Sequence, residues 1–390
     1  MEKKQWQQGR WQDFFPAWDL PKRVAPQLES VLGEGPRDAE ELAFAQEVEA
    51  LPKIELHVHL EAAVPSRWYE QRNRRLGLFA EGNLPTQRAP FGDFSQFIRA
   101  WLDHTRLITR EDEIQELAEA FVELRSKQNI VYTEAHISPF DFTMGRRRLG
   151  LSPILEYQAV LRAYLRGIRQ GLARFPGVEV RLIVDLLWIS DASECEQMLQ
   201  TLSEVVIDST LSCPRSGRPL IVALGLGGYE AAERAAEKRS LLDRYSSLGL
   251  KLDIHSGETT TAAEHARACD ILRPDRIGHG VAPGVRPAGG IDFFSAGIGV
   301  CASSNLLTGA CVGSLVEHPL KAMLEKGVSV SINTDDPVLF GTTLTLEYVM
   351  LRRAFGIELP EVRTLLAGTV AMAFDQPAAR RSLAVLFKPL

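Results

Sequence analysis

The chain has 390 residues, of which 45% are hydrophobic and 24% are charged, as in an ordinary globular enzyme. Its formal net charge of −6 argues against a nucleic-acid partner or an anionic membrane surface, because both attract excess positive charge. The five cysteines form no C-x-x-C pair, which argues against a disulfide framework and a thiolate zinc site. Without a signal-peptide pattern or an apolar run of about 20 residues, we expect a cytoplasmic protein with no membrane segment.

The first 50 residues differ from the rest of the chain. They are polar, carry scattered aromatic side chains, and contain one short helical pattern at 38–50. We predict that residues 1–50 form a partly helical arm packed on the outside of a main domain at 51–390. A tail that binds a partner is the alternative, and the pattern does not choose between them.

From Leu51 onward, short aliphatic runs alternate with helical patterns such as 111–127 and 264–273. Eight of these runs have the continuous apolar character of strands buried on both faces: 54–60, 130–138, 178–188, 219–228, 250–258, 275–280, 297–305 and 328–337. Eight strands alternating with helices predict a closed (β/α)8 barrel, or TIM barrel. A doubly wound open sheet is the alternative.

Polar side chains stand at the carboxyl ends of most of these runs. In a barrel those ends converge on one face, where active sites are built, so the placement favours the barrel over the open sheet. The residues are His57, His59, Glu134, His255, Glu258, His279, Ser303, Asn305, Asp335 and Asp336.

The first predicted strand carries His57 and His59 in an H-x-H pattern. Residues i and i+2 of a strand point to the same face, so both imidazoles can reach one metal ion. Two satisfied core histidines would give the same pattern, although unpaired rings in an apolar interior are costly. His255, which closes the fifth strand, offers a third nitrogen ligand.

Three further strand ends carry groups suited to acid–base chemistry. Glu258 in the H-S-G-E box is a candidate proton shuttle, with a helix-start carboxylate as the alternative. His279 lies between two glycines and can hold or deprotonate a metal-bound water. Asp335 and Asp336 point in opposite directions on an extended chain, so one can bind a metal while the other faces a substrate.

Three nitrogens and one carboxylate oxygen with an open water position describe a catalytic zinc site. Iron or manganese remains an alternative, because ligand type alone does not exclude either metal. The fourth predicted strand, PLIVALGLGG, offers no lysine and no further ligand. We therefore expect one Zn²⁺ per chain.

Six motifs occur in order between Leu51 and the C-terminus: LPKIELHVHLE, YTEAHISP, HSGE, RIGHGV, CASSNLLTGA and SINTDDP. Together they resemble the adenosine deaminase family of metal-dependent hydrolases. The resemblance implies hydrolytic deamination of an adenine-containing nucleoside, in which zinc-bound hydroxide attacks purine C6. It also implies the zinc ligands His57, His59, His255 and Asp335.

The resemblance further implies roles for residues that meet the purine and the water. Glu258 would protonate ring N1, while His279 and Asp336 would position and activate the water. Asp336 would also face N7, and the backbone N–H of Gly228 would face N3. A helical lid at 91–108 would bring Phe97 or Trp101 over the purine, although core packing explains their spacing equally well.

Several positions depart from the adenosine deaminase pattern. Glu61 replaces an aspartate that is expected near the ribose 5′-hydroxyl, and Gly225 and Tyr229 also stand where the adenosine enzymes carry aspartates. We expect a nucleoside of the adenosine type first, a 5′-substituted adenine nucleoside such as aminodeoxyfutalosine second, and free adenine third.

Other classes of protein fit less well. A different metal-dependent amidohydrolase would carry a binuclear site, and a non-enzymatic binding protein would have lost part of the ligand set. A cytidine-deaminase-like enzyme would need a C-x-x-C pair, which the chain lacks. The expected partners are therefore a small purine substrate and water.

Overall fold

The computed structural model describes residues 9–18, 32–80, 82–282, 296–309 and 313–384. Within these ranges one sheet of eight strands runs in chain order. The strands are β1 Lys53–His59, β2 Ile130–Ile137, β3 Glu179–Asp185, β4 Ile221–Leu226, β5 Lys251–Ser256, β6 Arg276–His279, β7 Ile298–Val300 and β8 Val330–Ile332. All seven neighbouring pairs are parallel.

The sheet closes between its last and first strands. Val58 of β1 and Asp335, just beyond β8, form a parallel bridge. The backbone N–H of His59 donates to the carbonyl oxygen of Asp335 at 2.8 Å, and that of Asp335 donates to the carbonyl of His57 at 3.2 Å. The predicted (β/α)8 barrel is therefore confirmed, and the open sheet is excluded.

The helices flank this barrel. They are α1 Trp11–Phe14, α2 Ala39–Ala50, α3 Ser66–Leu76, α4 Phe94–Thr105, α5 Glu111–Lys127, α6 Pro139–Phe142, α7 Met144–Arg148, α8 Tyr157–Arg174, α9 Ala192–Val206, α10 Ala235–Arg244, α11 Ala262–Leu272, α12 Ala302–Thr308, α13 Leu320–Glu325, α14 Pro337–Phe340, α15 Leu344–Phe355, α16 Leu359–Met372 and α17 Gln376–Ser382. In the described part of the chain, none of them combines the length and apolarity needed to cross a membrane.

Helix α5 shows why these segments fold as they do. Its apolar residues Ile114, Leu117 and Phe121 recur at helical spacing and are fully buried. Three acidic residues occupy its first turn, where they interact favourably with the positive end of the helix dipole. The helix matches the predicted range 111–127, and the pattern at 264–273 appears as α11.

Strands β7 and β8 have three residues each and are shorter than the predicted runs. Helix α12 begins immediately after Cys301, because the backbone of Asn305 donates to the carbonyl of Cys301 at 3.0 Å. Ser303 and Asn305 therefore lie on a helix rather than at the end of a strand. Asn305 still reaches the carboxyl end of the barrel, where its Nδ2 lies 3.1 Å from Nδ1 of His279, whereas Ser303 donates to the carboxylate of Glu347 instead.

The N-terminal residues that the structure describes are packed and partly helical. Phe15 and Trp18 stack with ring centroids 4.1 Å apart, and both are buried. Glu41 of α2 forms an ion pair with Arg353 of α15. Residues 1–8 and 19–31 lie outside the described residues, and the division of the chain into an arm and a barrel at residue 50 stays a prediction.

Candidate active site and metal centre

The carboxyl ends of β1, β5, β6 and β8 bring a buried group of side chains together. His57, His255, His279 and Asp335 each offer a ligand atom, and these atoms all lie within 4.8 Å of one another. His59 joins them, since its Nε2 lies 3.1 Å from Nε2 of His255 and 3.3 Å from Oδ1 of Asp335. The four predicted zinc ligands therefore stand in one cluster, with His279 beside them.

The chemistry of this cluster fits a bound cation. Both ring nitrogens of His57 and Oδ1 of Asp335 are buried and have no hydrogen-bond partner. Buried polar atoms are nearly always bonded, so unpaired ones in one small volume require an explanation. Histidine nitrogens with one carboxylate oxygen are the ligand set of catalytic zinc, and a zinc ion would satisfy one ring nitrogen of His57 and Oδ1 of Asp335.

The backbone turns sharply where two of these side chains leave their strands. His279 has φ +67° and Asp335 has φ +61°, a left-handed conformation that residues other than glycine seldom adopt. Such strain persists only where the surrounding structure holds it, and it is concentrated at functional sites.

Helix α12 supplies part of that support. The hydroxyl of Ser304 donates to Oδ2 of Asp335 at 2.6 Å, and Nδ2 of Asn305 lies 3.1 Å from Nδ1 of His279. The side chain of Asn305 also contacts His318 at 3.3 Å. The sequence pattern pointed to Asn305 as polar but missed Ser304, whose position depends on the helix that starts at Ala302.

The turn that carries Glu258 is fixed by a carboxylate from the β4 loop. Glu230 accepts the backbone N–H groups of Gly257, Glu258 and Thr259 at 2.8, 2.7 and 2.9 Å. Gly257 has φ +79°, which favours glycine at this position. Sequence reasoning gave Glu230 no role, although this residue determines where the backbone of Glu258 lies.

Burial and neighbouring charges set the protonation of the site. Burial, followed by the nearby carboxylates Asp335 and Glu230, raises the pKa of Glu258 well above its usual value. Burial and the adjacent Asp335 likewise raise the pKa of Asp336. Burial lowers the pKa of His279 to about 4, and its Nε2 lies 3.5 Å from Oε2 of Glu258. These shifts favour the protonated carboxyl groups of Glu258 and Asp336 and the neutral imidazole of His279.

A cavity of about 180 Å³ opens onto this cluster. Phe97 and Trp101 of α4 line it and are largely buried, in agreement with the predicted lid position. The Trp101 indole N–H donates to Oδ2 of Asp141 at 2.8 Å, and its ring meets His59 edge-on at 5.5 Å. The ring of Phe97 also stacks on Phe340, so this residue packs against a neighbouring helix and lines the cavity as well.

Two further predicted site residues, Gly228 and Glu61, differ in whether they line the cavity. Gly228 lines the cavity with φ +77°. Glu61 is fully buried outside the lining, where its carboxylate accepts the backbone N–H of Ser138 at 2.8 Å and the hydroxyl of Tyr164. The short helical turn Leu60–Ala62 after β1 directs it to these partners instead of the cavity. The structure thus brings the predicted site residues together except Glu61, which lies outside the cavity lining.

Three polar residues to which the sequence pattern assigned no role also belong to this region. Asp185, at the end of β3, and Asp141 both line the cavity. His136 of β2 is fully buried, with Nδ1 2.9 Å from Oδ1 of Asp185. Asp185 follows an apolar strand just as the predicted ligands do, so the same rule about strand ends would have found it.

The family model for adenosine deaminase matches residues 52–386 of this chain. The chain belongs to the adenosine deaminase family. It is accordingly an aminohydrolase, and the recognition made from the six motifs is confirmed.

Individual relatives cover most of the chain. It is 31% identical over 342 residues to an adenine deaminase of Rhizobium leguminosarum bv. trifolii, a match that spans 85% of this chain and 98% of the relative. It is 29% identical to an aminodeoxyfutalosine deaminase of Streptomyces avermitilis, over 86% of this chain and 90% of the relative. An amidohydrolase from Burkholderia ambifaria, solved with bound zinc, has the same fold, with a TM-score of 0.71, 20% identity and coverage of 88% and 92%.

Proposed function

We propose that this protein catalyses the zinc-dependent hydrolytic deamination of free adenine, releasing ammonia and the 6-oxopurine. The observation that carries the proposal is the convergence of Glu258, His279 and Asp336 on one cavity beside the histidine–aspartate cluster. Membership of the adenosine deaminase family and the adenine deaminase relative support the same reaction.

His57, His59, His255 and Asp335 would hold one zinc ion, and the relative solved with zinc supports that choice of metal. Bound there, zinc supplies Lewis-acid chemistry that lowers the pKa of a water molecule from about 15.7 towards about 7. The same ligands could hold iron or manganese, and elemental analysis of the purified protein distinguishes these metals from zinc.

The protein side chains divide the proton transfers between them. Glu258, kept protonated by burial, donates its proton to ring N1, which withdraws electrons from C6 and favours attack there. The neutral ring of His279 orients the attacking water and accepts its proton. Asp336, also kept protonated, donates a hydrogen bond to N7.

Other groups bind and shield the base. The backbone N–H of Gly228 is offered to ring N3, and Phe97 and Trp101 cover the purine and exclude water. These contacts position a planar heterocycle next to the acid–base residues.

Two observations favour the free base over the nucleoside that the motifs led us to expect first. The carboxylate expected near a ribose 5′-hydroxyl, Glu61, is fully buried outside the cavity lining and accepts the backbone N–H of Ser138. Eight apolar side chains line the wall beyond the acid–base residues, beside five polar ones (Ser138, Asp141, Arg148, Asp185 and Tyr229), and they suit the faces of a planar base: Phe94, Phe97, Ile98, Leu102, Phe140, Leu149, Leu187 and Ile189.

A 5′-substituted nucleoside such as aminodeoxyfutalosine is the second candidate. The Streptomyces relative favours it, and so do Leu149 and Ile189 at the cavity wall, because both are partly exposed and can cover an apolar substituent.

A substrate panel separates these candidates. Adenine, adenosine, 2′-deoxyadenosine, 5′-methylthioadenosine and aminodeoxyfutalosine are each followed by the loss of adenine absorbance. We expect the highest kcat/KM for adenine, with Glu258→Gln as the inactive control. A preference for any nucleoside would overturn the adenine assignment, and inactivity on every compound would overturn the purine assignment itself.

A further inference from the structure

We infer that Asp185 is a positioning residue for the metal centre, which it serves by orienting the imidazole of His59. The inference deepens the proposed function and rests on the metal site described there. Asp185 ends β3, a strand to which the motifs assigned no functional residue, and it is only 1% exposed.

The two nitrogens of His59 face different surroundings. Nε2 points to the cluster, 3.1 Å from Nε2 of His255 and 3.3 Å from Oδ1 of Asp335. Nδ1 points the other way, is buried without a hydrogen-bond partner, and lies 3.8 Å from Oδ2 of Asp185. A carboxylate behind a metal-binding histidine commonly accepts its second N–H, which fixes the tautomer and the ring orientation.

In this role Asp185 would accept the Nδ1–H of His59, which leaves the lone pair of Nε2 available to a cation. The separation of 3.8 Å is longer than a hydrogen bond, so the two groups must approach each other for this contact to form. Asp185 acts through His59 and contacts neither the metal nor the reacting atoms in this role.

The position of Asp185 is in turn fixed by contacts with other buried side chains. Its Oδ1 lies 2.9 Å from Nδ1 of His136, and Nε2 of His136 lies 3.4 Å from Oδ2 of Asp253. Arg276 then binds Asp253, with Nε 3.0 Å from Oδ2. All of these side chains are buried, so this row of contacts gives Asp185 little freedom to turn away from His59.

The neighbouring strand leaves room for this carboxylate. A Cβ atom built on Gly225 of β4 would lie 1.9 Å from Oδ1 of Asp185 and 3.1 Å from Nδ1 of His136. A Cβ on Gly227 would lie 3.7 Å from Oδ2, which is an ordinary contact. The absence of a side chain at Gly225 is therefore a condition for the observed position of Asp185.

The test measures zinc affinity apart from turnover. Metal-free parent protein, Asp185→Ala and Asp185→Asn are titrated with zinc in competition with a chromogenic chelator. We expect Asp185→Ala to bind zinc about 10–100-fold more weakly, the usual effect of removing such a supporting group. Asp185→Asn keeps an acceptor oxygen in place, so we expect a smaller loss.

Asp141→Ala is the matched control. Asp141 is a second carboxylate of the same cavity, but its Oδ2 is bound by the Trp101 indole at 2.8 Å. Its removal should leave zinc affinity within about threefold of the parent value. If Asp185→Ala changes zinc affinity no more than this control does, the positioning role is wrong. Should Asp185→Ala fail to fold, the same comparison is made with Asp185→Asn against Asp141→Asn.

Gly225→Ala tests the same idea without removing the charge. The new Cβ should collide with Oδ1 of Asp185, displace this carboxylate and weaken zinc binding. In a protein that already carries Asp185→Ala the collision cannot occur, so adding Gly225→Ala should weaken zinc binding little further. Additive losses in the double variant would contradict the mechanism.

The zinc titration also separates this inference from the proposed metal site. If the parent protein binds no zinc, the proposed metal site is wrong. If the parent binds zinc and Asp185→Ala binds it equally well, only the role of Asp185 is wrong.

Discussion

Replacing Glu230 with glutamine should disable the enzyme without touching a catalytic group. Oε1 of Glu230 accepts the N–H groups of Glu258 and Thr259, and Oε2 accepts that of Gly257 and the hydroxyl of Thr260. A glutamine amide offers one oxygen, so two of the four donors lose their acceptor and face an NH₂ group instead.

The size of the effect follows from that geometry. Hydrogen bonds to a charged group contribute about 1.5–3 kcal/mol each, so the turn loses roughly 3–6 kcal/mol of local stabilisation. Since a displacement of about 1 Å at a reacting group lowers rates on the order of 100-fold, we expect kcat/KM for adenine to fall at least 100-fold in Glu230→Gln.

The assay is the loss of adenine absorbance, with bound zinc measured on the same sample. Zinc content should stay at the parent level, because the metal ligands are on other segments or precede the turn. Glu233→Gln, an exposed glutamate of the same loop, is the matched control and should behave like the parent. An activity of Glu230→Gln within threefold of that control would refute the reasoning.

The same variant carries a prediction about pH. The charge of Glu230 is one of the causes that raise the pKa of Glu258, so its removal lowers that pKa. The proposed reaction needs Glu258 protonated, and activity is therefore lost as pH rises through this pKa. The alkaline limb of the kcat/KM profile should move to lower pH in Glu230→Gln, and a shift to higher pH would contradict the proposed role of Glu258.

Three further predictions concern the metal and the acid. Glu258→Gln should lower kcat by about 10²- to 10⁴-fold while one zinc per chain remains bound, and appreciable residual turnover would remove Glu258 as the proton donor. Chelation should abolish activity and one equivalent of zinc should restore it, whereas two equivalents per chain would indicate a binuclear hydrolase. Gly278→Ala should reduce zinc content, because its Cβ would lie 2.5 Å from Cε1 of His57, while Gly299→Ala, with nearest atoms at 3.4 Å, should retain zinc.

The barrel and most of the candidate site could be predicted from local pattern alone. Continuous apolar runs alternating with helices require a covered parallel sheet, and parallel strands bring their carboxyl ends to one face. Residues such as His57, His255 and Asp335 could therefore be grouped from the sequence, since each lies towards the carboxyl end of a predicted strand. The six motifs added the family and the proposed role of each residue.

The tertiary structure decided what depends on contacts between distant segments. Glu61 follows the H-x-H strand, yet its turn directs it to Ser138 and Tyr164, 77 and 103 residues away in the chain. Glu230 and Asp185 lie on other strands or loops than the residues they support, and no spacing in one sequence shows that they meet.

The chemistry of the site was thus encoded locally, because a strand end determines which face of the barrel a side chain reaches. The precise placement of Glu258 and of the metal ligands was not encoded locally, because it depends on packing between distant segments. Gly225 leaves room for Asp185 only because the two strands lie side by side, and Glu230 holds Glu258 only because β4 and β5 are neighbours.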